Sequence, residues 1–349
     1  MRVKIFLSAA LLSAALPAAA ASFACPDYGP LPAQPTDYAS AIDAFGRYRD
    51  SKKSAIRAEG DLPFLKTHGA PTDDAVLLIH GLSDSPYYVA ALGAELHARG
   101  ANVVSILLPG HGTAPECLLH VRASQWREET RFGLSLARRL GRRVSILGFS
   151  TGGALALDAL AESEMTREPE PQRWGDLLLF SPALAFDTPK TDWCGVPGAD
   201  AIMEHAMPWA SGKGAPETNP YKYAQLATNG VCQLFDLMEF NELRRPLIER
   251  ALSARRIGVF AVESLDDQTV DPQAVVGFVA DLPASVRREL ILYPRSDAIA
   301  HADVPRPETN PRYAETVAAM DRFLSGASAP VAADALLEGA AASAAGLRR

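Results

Sequence analysis

The pentapeptide Gly148-Phe149-Ser150-Thr151-Gly152 is the strongest chemical signal in the sequence. A bare Gly-x-Ser-x-Gly string arises often by chance. Here it follows the apolar run Val144–Leu147 and precedes Gly153-Ala154-Leu155-Ala156-Leu157, a helical run. A strand, a sharp turn and a helix together lift a serine hydroxyl clear of a sheet, and glycines beside the serine relieve the crowding of so tight a turn. The start of the helix also favours nearby negative charge. A hydroxyl in that setting is suited to attack a carbonyl carbon.

A serine hydroxyl is a poor nucleophile without a base, and the base needs an acid to orient it. When the serine sits on a strand-to-helix turn of this kind, the chain order is serine, then acid, then histidine. Of the seven histidines, only His301 lies beyond the last apolar run, Leu290–Tyr293, and it is the expected base. The acid belongs just after the run Ile257–Val262, where Glu263, Asp266, Asp267 and Asp271 are the candidates. Asp267 is chosen, because Asp-x-x-Val-x-Pro frees the carboxylate while Val270 packs and Pro272 opens the next helix. Asp266 is the runner-up, and Asp271 before Pro272 reads as a helix N-cap. Ile79-His80-Gly81-Leu82 ends an earlier strand. Gly81 permits a turn there, so the Leu82 N–H and the Thr151 N–H are the expected donors to a tetrahedral oxyanion. His80 reads as a structural residue of that loop. His111, in Pro109-Gly110-His111-Gly112-Thr113, has no carboxylate or cysteine partner at a ligand spacing, so no metal and no cofactor is expected.

The elements that must position these groups follow from the hydrophobic pattern. Continuous apolar runs at 76–79, 103–107, 144–147, 177–180, 257–262 and 290–293 read as strands buried on both faces. Helical stretches at 86–99, 124–140, 151–163, 272–281 and 312–324 lie between them, after an earlier helix over about 37–58 and a short strand at 64–67. Such alternation predicts an α/β fold, a mainly parallel central sheet covered by helices on both faces. Residues 183–253 contain no buried-strand run and are rich in Met, Trp, Tyr and Phe, which predicts an inserted helical cap bordering the ligand crevice. The predicted organisation is a signal peptide at 1–24, a leader at 25–61, the core at 62–182 and 254–325, the cap at 183–253 and a mobile Ala-rich tail at 326–349.

The signal peptide rests on Arg2 and Lys4, the apolar run Ile5–Leu16, and Pro17 followed by Ala18–Ala21. The run is about 12 residues, short of what spans a bilayer as a helix. Export to the periplasm or medium is expected, with a lipoprotein anchored through Cys25 as the minor reading, since Ser22 stands where a lipid signal has an aliphatic residue. The 349-residue chain carries 21% charged residues and a net charge of −7, which gives no reason to expect nucleic acid or an anionic membrane as partner. Its four cysteines suit an oxidising compartment. Cys194 and Cys232 are the expected disulfide, because both fall in the insertion. The sequence leaves open whether Cys25 and Cys117 pair or stay free.

Taken together, Leu77–Leu82, Leu108–Gly112, Gly148–Gly153, Asp266–Pro272 and His301 resemble the α/β-hydrolase superfamily. More narrowly they resemble its branch of monoacylglycerol lipases, carboxylesterases and lysophospholipase-like proteins with a serine-aminopeptidase-type domain. The resemblance covers roughly residues 62–325. It implies the α/β-hydrolase fold, Ser150 as nucleophile, Asp267 as acid, His301 as base, Leu82 and Thr151 as oxyanion donors, and a small-molecule ester as substrate. Two departures stand out: Ala300 where many relatives have glycine before the histidine, and the Gly/Pro-containing stretch 211–220. The Met- and aromatic-rich cap suggests a small to medium apolar acyl group or a monoacylglycerol-like lipid. A peptidase or amidase on the same triad is the second reading, with Glu204 or Glu239 as a site for an amine. A non-catalytic binding protein of this fold is the third. Substrate-binding residues and oligomeric state are not legible.

Overall fold

The apolar runs become a seven-stranded sheet in the computed structural model, which describes residues 25–26, 30–166, 173–187, 194, 206–216 and 218–326. Its strands are β1 (Leu65–Lys66), β2 (Thr72–Ile79), β3 (Asn102–Ser105), β4 (Gly141–Phe149), β5 (Arg173–Phe180), β8 (Val259–Ser264) and β9 (Arg288–Tyr293). They lie in the order β1-β3-β2-β4-β5-β8-β9, all parallel except the edge strand β1, which runs antiparallel to β3. The signal peptide at 1–24, Glu204 and the tail from 327 lie outside the described residues.

Alternation along each strand divides the interior in two. Leu77 and Ile79 of β2 enter one apolar cluster, and Val76 and Leu78 enter the other. Helices α1 (Tyr38–Lys52), α3 (Ala123–Leu140), α4 (Thr151–Met165) and α7 (Pro272–Asp281) supply the first cluster. Helices α2 (Tyr87–Ala98) and α8 (Tyr313–Leu324) supply the second. Each fully buried Leu or Ile here contributes roughly 1.5–3 kcal/mol by leaving water, which is what holds the helices to the sheet.

The insertion is more varied than its sequence suggests. It holds helices α5 (Thr228–Leu243) and α6 (Arg245–Arg255), and also a short antiparallel ribbon of β6 (Trp209–Ser211) and β7 (Leu226–Ala227). The ribbon left no apolar run because Ala210 and Ser211 are exposed. Pro246 opens α6, and Arg256, left-handed at φ 56°, ends it. Leu234 of α5 and Ile248 and Leu252 of α6 join the same cluster as the sheet, so these helices share the core. A buried network fastens them further. Asn241 Nδ2 donates to the Ala154 carbonyl at 2.8 Å, and Arg244 pairs with Asp158, whose other oxygen accepts from Arg127 Nε at 2.8 Å.

The structure joins Cys194 to Cys232, with α-carbons 5.1 Å apart, and Cys25 to Cys117 at 5.4 Å. The Cys25 sulfur that a lipid anchor would occupy is therefore engaged, which argues against the lipoprotein reading. Among the described residues, no helix is long and apolar enough to cross a membrane.

Candidate active site

Ser150 sits where β4 turns into α4, in a strained positive-φ conformation at φ 53°, ψ −115°. A non-glycine residue there stores on the order of 1–3 kcal/mol of strain unless its surroundings hold it. Four backbone bonds do so: the Ser150 N–H donates to the Phe180 carbonyl at 3.0 Å, and the Ser150 carbonyl accepts from Ala183 at 2.9 Å, Gly153 at 2.8 Å and Ala154 at 3.3 Å. Gly152 lets α4 close against β2, because a Cβ there would lie 2.0 Å from the Ile79 carbonyl oxygen. Thr151 begins α4, fully buried, and its N–H is among those that a helix leaves without an intrahelical partner.

Asp267 and His301 meet. His301 Nδ1 lies 2.5 Å from Asp267 Oδ2, and both side chains are buried. The other Asp267 oxygen accepts from the Thr269 N–H at 2.7 Å and the Val270 N–H at 3.0 Å. Burial works to raise the Asp267 pKa, but the His301 bond and charge and these two N–H groups together lower it below the ordinary aspartate value. With Asp267 ionised, Nδ1 carries the imidazole proton and donates it to the carboxylate, which leaves Nε2 as the basic nitrogen. The two loops are stitched together by Ser264 Oγ, which donates to the Ile299 carbonyl at 2.6 Å. Ala300 is extended at φ −74°, a conformation alanine adopts freely, so the absence of glycine before His301 costs nothing. Phe149 ties this pair to the serine turn, since its ring lies 5.1 Å from the His301 imidazole.

The loop after β2 approaches the same point. A Cβ on Gly81 would lie 2.6 Å from Asp84 Oδ2 and 3.1 Å from Ser150 Cβ, so a side chain there would crowd the approach to the serine. Leu82, half-buried, follows it directly. His80 is fully buried: its Nε2 accepts from the Leu108 N–H at 3.0 Å and its Nδ1 donates to the Gly81 carbonyl at 2.9 Å. Both ring nitrogens are thus committed to holding the loop. Burial, with the neighbouring His111, pushes the His80 pKa far down, and burial lowers that of His111 to about 4. Among the described residues no three His, Cys, Asp or Glu side chains group as metal ligands.

The insertion grips this loop from above, which sequence reasoning missed. The Tyr223 N–H donates to the Ser83 carbonyl at 2.9 Å. The Tyr223 hydroxyl donates to the Gly110 carbonyl at 3.0 Å and accepts from the Thr113 N–H at 2.9 Å. Lys222 Nζ stands 3.5 Å from the buried Asp84 carboxylate, and the Tyr221 ring stacks on Tyr87 at 3.7 Å. Burial is the main force raising the Asp84 pKa, against the pull of Lys222, His301 and Arg306. A Tyr-Lys-Tyr run in a polar stretch carries no pattern that announces these contacts. The remaining candidates fall elsewhere. Asp266 is half-buried, and its N–H donates to Ser264 Oγ at 3.2 Å. Asp271 caps α7, accepting from the Gln273 N–H at 2.9 Å. Glu239 is exposed on α5.

A serine at the strand-to-helix turn after β4, an acid after β8 and a histidine after β9, each beyond the C-terminal end of its parallel strand, are the pattern of one class of proteins. The sequence profile of the alpha/beta hydrolase family matches residues 76–341, and the chain belongs to that family. It is 33% identical over 86 residues to a carboxylesterase of Bacillus subtilis (strain 168), a stretch that is 24% of this chain and about a third, 35%, of that protein. Similar solved structures include a metagenome-derived lipolytic enzyme (TM-score 0.59, 18% identity, 78% of this chain and 99% of that one). A soluble variant of the Saccharomyces cerevisiae monoglyceride lipase is also similar (TM-score 0.53, 15% identity, 77% and 92%). So is the monoacylglycerol lipase of Paleococcus ferrophilus (TM-score 0.53, 17% identity, 76% and 99%). These structural likenesses bear on the fold, which is that of the α/β-hydrolases.

Proposed function

We propose that this protein is an exported hydrolase of carboxylic esters that works through a covalent acyl-serine at Ser150. The observation that carries the reading is the buried His301–Asp267 bond beside a strained serine turn. In this reading His301 Nε2 takes the Ser150 proton as the hydroxyl attacks the ester carbonyl. Asp267 holds the imidazole in the tautomer that leaves Nε2 free and balances the imidazolium that forms. The N–H groups of Leu82 and Thr151 receive the oxyanion, each donor of this kind being worth about 2.7–4 kcal/mol of barrier. The imidazolium protonates the departing alcohol, and water activated by the same nitrogen releases the acid. No metal or redox step enters.

The matching stretch of the Bacillus subtilis carboxylesterase supports an ester as substrate. A cavity of about 370 Å³ lies between α4, α5, α6 and α7 with no triad residue in its lining, so the expectation of a small to medium apolar acyl group rests on the Met- and aromatic-rich composition of the insertion. The two disulfides fit an oxidising compartment outside the cytoplasm. Purified protein is expected to hydrolyse p-nitrophenyl esters, and Ser150→Ala to abolish turnover while the fold is retained. Full activity in that variant sinks the assignment. A panel of acyl lengths, monoacylglycerols and aminoacyl-naphthylamides then separates ester from amide preference.

A further inference from the structure

Glu263 is a buried acid that the reaction above does not use. It is the penultimate residue of β8, wholly inaccessible to solvent. Its Oε1 accepts from the Ser264 N–H at 2.7 Å and from Ser181 Oγ at 3.1 Å. Its Oε2 is buried and has no donor near it. A carboxylate oxygen sealed from water without a donor is costly, whereas a protonated oxygen needs an acceptor instead. The Asp267 carboxylate lies within side-chain hydrogen-bonding reach of Glu263 and can serve as that acceptor.

We propose that Glu263 is a positioning residue of the triad, a neutral carboxylic acid whose Oε2–H donates a hydrogen bond to the Asp267 carboxylate. This rests on the triad reading and extends it to a chain of Glu263, Asp267, His301 and Ser150. Two donors on Oε1 fix that oxygen as the acceptor and leave Oε2 to hold the proton. Burial raises the Glu263 pKa well above the ordinary glutamate value, and the neighbouring charge of Asp267 raises it further. Ser264 and Ser181 are the other groups that face it, and neither carries charge. On the far side of Asp267, His301 also feels Asp84, which is paired with Lys222. Those charges are untouched by a change at position 263. The effect on the base follows from the donated bond, which draws Asp267 charge away from His301. Losing it favours the imidazolium and raises the pKa of the base.

The test is the pH dependence of kcat/KM for ester hydrolysis by wild type, Glu263→Gln and Glu263→Leu. Glutamine keeps a donor and an acceptor, so its acid limb is expected within about 0.2 pH units of wild type. Leucine removes the donor, and its limb is expected to move up by roughly 0.5–1 unit with KM little changed. An ionised Glu263 predicts the opposite for glutamine, a limb moved to lower pH, and that result overturns the proposal. An unmoved limb in a folded leucine variant reduces Glu263 to packing. Should the leucine variant fail to fold, difference infrared spectra of wild type minus Glu263→Gln at neutral pH decide the matter, since the proposal requires a protonated-carboxyl C=O band. Failure of the triad itself reads differently, as activity surviving Ser150→Ala or His301→Ala.

Discussion

Removing one oxygen atom tests whether the insertion clamps the loop after β3, Gly110 to Thr113. In Tyr223→Phe the ring stays, and so does the backbone bond from residue 223 to the Ser83 carbonyl. What is lost is the hydroxyl between the Gly110 carbonyl and the Thr113 N–H, at 3.0 and 2.9 Å. Each bond contributes about 0.5–1.5 kcal/mol net, and a buried group left unpaired adds about 1–3 kcal/mol. Tyr223 is 4% exposed, so water cannot replace the hydroxyl. The expected loss is about 2–4 kcal/mol, which for a domain of this size lowers the melting temperature by roughly 3–7 °C. Because the bond to Ser83 survives, kcat/KM is expected to fall less than about tenfold, under 1.4 kcal/mol of barrier. Thermal unfolding by circular dichroism and ester kinetics measure the two quantities. A melting temperature within a degree of wild type would refute the reasoning, since it would mean that the hydroxyl is not clamping the loop.

Three further outcomes are expected. Arg244→Met leaves the buried Asp158 with Arg127 as its one remaining guanidinium partner, and denaturant unfolding should show a loss of about 3 kcal/mol. Stability should fall as pH drops from about 6.5 towards 4, because the His111 pKa is about 4 in the fold and ordinary in the unfolded chain. The unfolded state therefore takes up the proton first, at a cost of up to about 3 kcal/mol to the fold, and His80 acts in the same direction. A pH series of melting temperatures checks this, and His111→Gln should flatten it. Replacing Cys194 and Cys232 by serine removes a cross-link over 38 residues, worth about 3–4 kcal/mol, and should lower the denaturation midpoint without changing the pH profile of activity.

The parts of the site that sequence reveals are those tied to strand ends. Ser150, Asp267 and His301 each lie in the segment that follows an apolar run, so the pattern that predicts β4, β8 and β9 also predicts where these side chains emerge. The strand-turn-helix context of Ser150 and the capping of α7 by Asp271 are local effects, and local effects are written in short windows. The grip of Tyr223 on a loop 140 residues earlier has no such window. Nor has the pairing of Arg244 with Asp158, which depends on how two helices happen to cross. Glu263 was visible as one of four acids, but only its burial and the donors on one of its oxygens separate it from a surface carboxylate.

The order of the cysteines bears on how the chain becomes cross-linked. Both bonds join consecutive cysteines, the first to the second and the third to the fourth. An oxidant that meets thiols as they emerge from the N-terminus onward makes each native bond as soon as its second partner arrives, and neither bond encloses a cysteine of the other. For a chain delivered N-terminus first into an oxidising compartment, correct connectivity would therefore demand no reshuffling enzyme.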